Sequence, residues 1–263
     1  MTAMNDIIKK YYKTVLFFAL VGLVGGFFTG IYLLDSYPEQ IKQQLIDELK
    51  AFGIGNFPIN IFTGIITAIQ SAGYGLILGC IGIYFSKRIG LWRDGKRITR
   101  NPLIITAVLS IVGGILLILP DIFFFGKYSE TIMESYSSKP SLVFILASIT
   151  YGAVIEEVML RLFFMSLLAF IIHKLIYRSH EATPKVALVF ANIIAALLFA
   201  VGHLPATFIL LGSSPLIILR CILLNGIFGL LFGFLYRKYG LIYAMLAHGG
   251  CHIVSKLIWL IFI

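Results

Sequence analysis

Apolar residues run along this chain in long unbroken stretches, not at the alternating or helical spacing of a half-buried soluble element. The stretches cover approximately 14–34, 62–84, 102–125, 141–172, 186–204, 216–236 and 241–263. Each reaches about 20 residues, the length an α-helix needs to cross the hydrocarbon core of a bilayer. Lipid offers no partner to open backbone, so the pattern predicts an all-α, polytopic transmembrane helical bundle of about seven spans. The fourth stretch exceeds one crossing and is expected to tilt, break or extend beyond the membrane. The first is too long for a signal-peptide core and lacks a small-residue cleavage site, which predicts a retained anchor.

The polar punctuation orients the bundle. Lys9, Lys10 and Lys13 precede the first stretch. Lys87, Arg88, Arg93, Lys96, Arg97 and Arg100 fill the second connection, Lys174, Arg178 and Lys185 the fourth, Arg237 and Lys238 the sixth. The odd connections differ: 35–58 mixes Asp35, Glu39, Asp47 and Glu48 with Lys42 and Lys50, and 204–215 is uncharged. Basic residues at span ends are retained on the cytoplasmic side, so the N-terminus is expected to be cytoplasmic. Both 35–58 and 204–215 read as connections. No repeat and no loop long enough for a second soluble domain interrupts the series.

Composition narrows the solvent and the partners. With 59% apolar and 13% charged residues and a mean hydropathy of +0.97, the chain lies outside ordinary soluble usage. Its net charge of +9 is scattered between apolar stretches, which argues against nucleic acid and for an anionic membrane face. The expected location is an integral multi-pass protein of the cell membrane. Cys80, Cys221 and Cys251 all lie in or beside apolar runs, so no disulfide framework is indicated.

Ionisable groups at bilayer depth cost about 2.5 to 3.5 kcal/mol each on insertion scales, which makes every one a candidate for function. The fourth stretch holds Glu156, Glu157 and Arg161 within six residues. At about 100° per residue, Glu157 and Arg161 share a helix face and should pair. Glu156 points elsewhere, on the side of Gly152 one turn earlier, where a backbone or substrate can approach. The fifth stretch ends with Phe199 and His203, and the seventh carries His248 and His252 one turn apart.

The three pieces, Glu156-Glu157 with Arg161, Phe199 with His203, and His248 with His252, resemble the motifs EExxxR, FxxxH and HxxxN of the CPBP family. These are the CAAX-protease and bacteriocin-processing membrane proteins related to the Ras-converting CAAX endopeptidases. The resemblance spans roughly residues 140 to 260 and divides the chain into helices 1 to 3 over 1–140, without a recognised motif, and a catalytic core of helices 4 to 7 over 141–263. It departs at one point, where His252 stands in place of the family's Asn.

The resemblance implies an intramembrane endopeptidase in which Glu156 activates water, assisted by His203, while His248 and His252 stabilise the oxyanion. Glu157, Arg161 and Phe199 take supporting roles. No cofactor is required on this reading, and the partners are a peptide or lipidated-peptide substrate and the bilayer. Two rivals use the same residues. Glu156, His203, His248 and His252 are nitrogen and oxygen donors of the kind that ligate zinc, which would make the protein a zinc-dependent protease. The cluster could equally fix helix packing in a non-enzymatic immunity or scaffold protein. Cys251 reads as small apolar packing, Arg220 as a snorkelling cation, and Lys256, one turn beyond His252, either as a snorkelling cation or as positive charge near the oxyanion. Asn192 reads as an interhelical hydrogen-bonding residue, and Gly226, Gly229 and Gly233 as close-packing positions.

Overall fold

The computed structural model describes residues 2–55, 57–94 and 98–263; Lys96 and Arg97 of the second basic connection lie outside them. Among the described residues every regular element is helical. The order begins with α1 (Thr2–Asp35), α2 (Glu39–Ala51), α3 (Ile59–Gly73) and, after one wide π turn at Tyr74–Leu78, α4 (Gly79–Arg88). It continues with α5 (Arg100–Phe123), the short α6 (Glu130–Ser135) and α7 (Leu142–Ala147). Two π-helical segments, Ser148–Glu156 and Val158–Met165, lead into α8 (Ser166–Ile176). The chain closes with α9 (Lys185–Gly202), α10 (Leu204–Leu211), α11 (Pro215–Tyr239) and α12 (Leu241–Phe262).

Among the described residues six helical stretches are long and apolar enough to cross a membrane: Lys9–Asp35, Ile59–Arg88, Arg100–Lys127, Lys185–Leu211, Pro215–Tyr239 and Leu241–Phe262. They turn apolar side chains outward, as lipid allows; Leu16, Phe17, Leu20 and Val24 of α1 are all exposed. The seventh expected span, over 141–172, which carries Glu156, Glu157 and Arg161, is not in that set. It is helical nonetheless, as the composite rod from α7 to α8.

Two connections turn out to be helices. The 35–58 segment holds α2, where no Gly or Pro interrupts Glu39–Ala51 and ion pairs Lys42–Glu39 and Lys50–Asp47 line the exposed face. The uncharged 204–215 segment holds α10, whose first turn accepts Pro205 because no N–H is needed there. Between α11 and α12 the chain reverses at Gly240 alone, with φ of 114°, a conformation that a Cβ would strain.

The composite rod is the axis of the molecule. Ser141 caps it, its Oγ accepting from Phe144 N at 3.1 Å. The hydroxyls of Ser148 and Thr150 then donate to the carbonyls of Phe144 and Leu146 four residues back, drawing those oxygens from the regular ladder and loosening it. The wide winding persists to Ser166, whose hydroxyl reaches the carbonyl of Arg161 at 3.3 Å. Around this rod, α1 and α12 pack on the first π segment, and α4 and α9 on the second. Backbones approach closely where Gly82 of α4 faces Leu162; a Cβ there would stand 2.8 Å from its side chain. Helix α5 backs α12, and α9 lies along α11, where Gly229 meets Ala196. The Oγ of Ser166, the hydroxyl of Tyr236 and the Oγ of Ser86 form a buried chain, each step 2.7 Å, joining α8, α11 and α4.

Several polar residues behave otherwise than isolated side chains in lipid would. Arg220 does not snorkel: it makes a two-pronged ion pair with the fully buried carboxylate of Asp121 on α5, which also accepts from Tyr136 Oη at 2.8 Å. Lys256 does not snorkel either, being 5% exposed with its ammonium turned inward. Asn192 does bridge helices, donating to Leu230 O at 3.1 Å. Gly233 and Gly229 are tight packing positions, whereas a Cβ on Gly226 would meet nothing within 4 Å. Cys251 is buried against Gly113 of α5, as its reading as a packing residue requires.

Candidate active site

The first π segment delivers Glu156 at its last residue and Gly152 one turn earlier. Winding by i→i+5 bonds puts more residues in each turn than the α-helix holds, so the angular step per residue is smaller than the 100° assumed from sequence. Residues four apart remain neighbours under either winding, and Glu157 and Arg161 do pair, Oε1 to Nη1 at 3.0 Å.

Both partners of that pair are essentially without solvent. Glu157 Oε1 also receives His248 Nδ1 at 2.9 Å, and Arg161 Nη2 donates to Gly229 O at 3.3 Å. The guanidinium lies 4.5 Å from the ring centre of Phe199 and 5.6 Å from that of Phe232. One carboxylate thus ties the second π segment to α12, and one guanidinium ties it to α9 and α11. Glu157 Oε2 and Arg161 Nη1 lack aligned hydrogen bonds, so the pair is an ion pair by distance with incomplete satisfaction. Such a pair fixes geometry more reliably than it stabilises.

Glu156 is different. Its side chain keeps a fifth of its surface exposed, and its Oε2 lies 3.9 Å from His248 Nε2. The His248 ring is sandwiched by stacking on Phe232, with ring centres 4.5 Å apart, and stands 5.0 Å from the ring of His252. Gly152 closes the constellation. A Cβ built on it would lie 3.5 Å from His252 Nε2 and 3.8 Å from His248 Nε2. Both imidazoles therefore aim a nitrogen at the bare backbone of Gly152, one turn from the Glu156 carboxylate. The composite rod thus brings the Glu156 carboxylate beside His248 of α12.

His203 sits at the break between α9 and α10. Its Nδ1 donates to Phe199 O at 2.7 Å, which leaves Nε2 as the proton-accepting nitrogen of a neutral ring. Phe199 stands edge-on to both His203 and His248, with centroids 4.6 and 6.0 Å away. This phenyl ring is the divider that holds the two imidazoles in place and receives Arg161 on its face.

Lys256 and Phe144 adjoin the site, the first as the charge near the oxyanion that its spacing allowed, the second without a signal in the sequence. Lys256 Nζ lies 3.4 Å from His252 Nδ1 and 4.2 Å from the ring centre of Phe144. Phe144 in turn lines a groove of about 490 Å³ with Tyr32, Tyr136, Arg220 and Trp259. The one-turn spacing of His248, His252 and Lys256 was the available signal; the inward turn of the lysine had none. Among the described residues, no three His, Cys, Asp or Glu side chains assemble in the arrangement a metal ion needs.

Set beside known proteins, residues 138–254 match the family model described as type II CAAX prenyl endopeptidase Rce1-like. The match contains Gly152, Glu156, Glu157, Arg161, Phe199, His203, His248 and His252. No curated protein and no solved structure matches the chain.

Proposed function

We propose that this chain, which belongs through residues 138–254 to the Rce1-like type II CAAX prenyl endopeptidase family of membrane proteases, cleaves peptide bonds with a water activated by Glu156. The observation that carries the reading is the convergence of Glu156 and the Nε2 atoms of His248 and His252 on the uncovered backbone of Gly152. A peptide carbonyl laid against Gly152 meets an imidazole donor on one side and a carboxylate-held water on the other.

The step balances without a metal. The Glu156 carboxylate takes a proton from water as the oxygen attacks the carbonyl carbon. The developing oxyanion is held by the histidine N–H groups, a contribution worth about 3 to 4 kcal/mol per well-placed donor. The C–N bond then breaks, and the proton on Glu156 passes to the leaving amine. His203, with its accepting Nε2, assists that proton traffic. His248 is oriented by Glu157, which accepts from its Nδ1 at 2.9 Å, and it donates from Nε2 only with both ring nitrogens protonated. The substrate is a peptide presented at the membrane. A prenylated CAAX tail and the leader or immunity peptide of a bacteriocin system are the two classes to compare, and the cell membrane is the expected site of action.

The test is cleavage of a fluorogenic prenyl-peptide and a leader-peptide panel by purified protein in detergent or nanodiscs, with and without chelator. Wild type is expected to cleave at least one class and to keep its rate after metal removal. Glu156→Gln should lose at least a hundredfold while remaining monodisperse. Loss of activity with chelator, restored by zinc, would transfer the reading to the zinc alternative. A Glu156→Gln protein that no longer folds would favour the scaffold role.

A further inference from the structure

We infer that Lys256 is a positioning residue that sets the tautomer of His252 and thereby makes that imidazole an oxyanion donor. The inference rests on the peptidase reading above. It starts from a lysine that lies at 5% exposure within a membrane helix, when its long stem would ordinarily carry the charge to an interface. Among the described residues no carboxylate pairs with it. Its polar neighbour is His252 Nδ1 at 3.4 Å, and its charge rests on the face of Phe144.

In its ammonium form Lys256 carries donors and no acceptor. The nitrogen it addresses must therefore offer a lone pair, so His252 Nδ1 is unprotonated and the ring's proton sits on Nε2. That is the nitrogen aimed at Gly152. The other two histidines are wired the opposite way. His203 spends its Nδ1 proton on Phe199 O, and His248 spends its own on Glu157 Oε1, so their neutral rings present a bare Nε2. His252 is thus the imidazole of the three that donates into the site without first acquiring a charge. A carboxamide at the same position would offer N–H donors with no lysine behind it. A histidine in that place donates from Nε2 only in one tautomer, and Lys256 supplies what decides it.

Two measurements test this. Nitrogen NMR of protein labelled with 15N-histidine, assigned through His252→Asn, should show His252 Nε2 protonated and Nδ1 bare in the wild type. Lys256→Met should shift protonation toward Nδ1. A bare Nε2 in the wild type, or a tautomer unmoved by Lys256→Met, overturns the inference whether or not any substrate is cleaved. For activity, Lys256→Met should lower kcat roughly a hundredfold, the effect of losing one oxyanion donor. In a His252→Asn background, which should retain measurable cleavage, the same change should cost under about threefold. Equal losses in the two backgrounds, or a folded but inactive His252→Asn, overturn the inference. Failure of the peptidase reading itself is separate: it shows as Glu156→Gln cleaving as wild type does.

Discussion

At the scale of single residues, the site depends as much on a missing side chain as on those present. Gly152 leaves open the volume toward which two imidazole nitrogens point, and a methyl group there would make only ordinary contacts, the nearest at 3.5 Å. Gly152→Ala should therefore fold at least as stably as wild type, gaining up to about 1 kcal/mol of helix propensity. It should nevertheless lose roughly a hundredfold in kcat/KM, because a methyl in that space displaces the carbonyl from its donors. Thermal unfolding read beside cleavage separates the two effects. The charged members of this constellation were legible in the sequence, since lipid makes any Glu, Arg or His conspicuous. The direction of Lys256 and of Arg220 was not. A cation a turn or two from a span end reads as snorkelling unless its buried partner is known, and Phe144 and Asp121 lie far from them in sequence.

At the scale of the helices, the spans were written plainly in hydropathy, and the difference lies in the fourth. Its hydroxyls at Ser148, Thr150 and Ser166 compete for carbonyls, and no apolar count registers that competition. Helices α2 and α10 were hidden for the complementary reason, being too short or too polar to stand out by apolar length. Among interhelical ties, the Asp121–Arg220 pair binds α5 to α11 and can be broken from one side. Arg220→Leu would strand a fully buried carboxylate and should cost about 3 to 5 kcal/mol of stability, seen as an earlier thermal midpoint in detergent. Asp121→Asn combined with Arg220→Leu should recover much of that loss, since no unpaired charge then remains.

For the whole molecule, the segment without recognised motifs is the brace. Helix α1 covers the first π segment, α5 backs α12, and α4 seats the second π segment, so the first 140 residues grip the rod that carries Glu156. A polar lock fastens the start of that brace. Asp94 receives Tyr11 Oη, Trp92 Nε1 at 2.9 Å and Lys87 Nζ at 3.3 Å. The Tyr11 hydroxyl foremost holds the carboxyl of Asp94 down at about 2, below its usual 3.8. A lowered carboxyl stabilises the fold above the unfolded value and ceases to do so as pH falls through the folded one. The lock should accordingly hold above pH 3.8 and open as pH drops to about 2. Because the carboxylate is about half exposed, the effect is local. In a Trp259→Phe protein, Trp92 emission should report it, and Asp94→Asn should abolish the transition.

The buried pair of Glu157 and Arg161 also governs how the chain is made. With Glu156 it loads one helix with three charges, each unfavourable by a few kcal/mol for entry into lipid from the translocon. The residues that compensate them, Phe199, Phe232, the carbonyl of Gly229 and His248, are synthesised 38 to 87 residues after Arg161. The fourth helix therefore has reason to wait beside the insertion machinery until α9, α11 and α12 emerge, so that lateral release into the bilayer is a joint event of the C-terminal half.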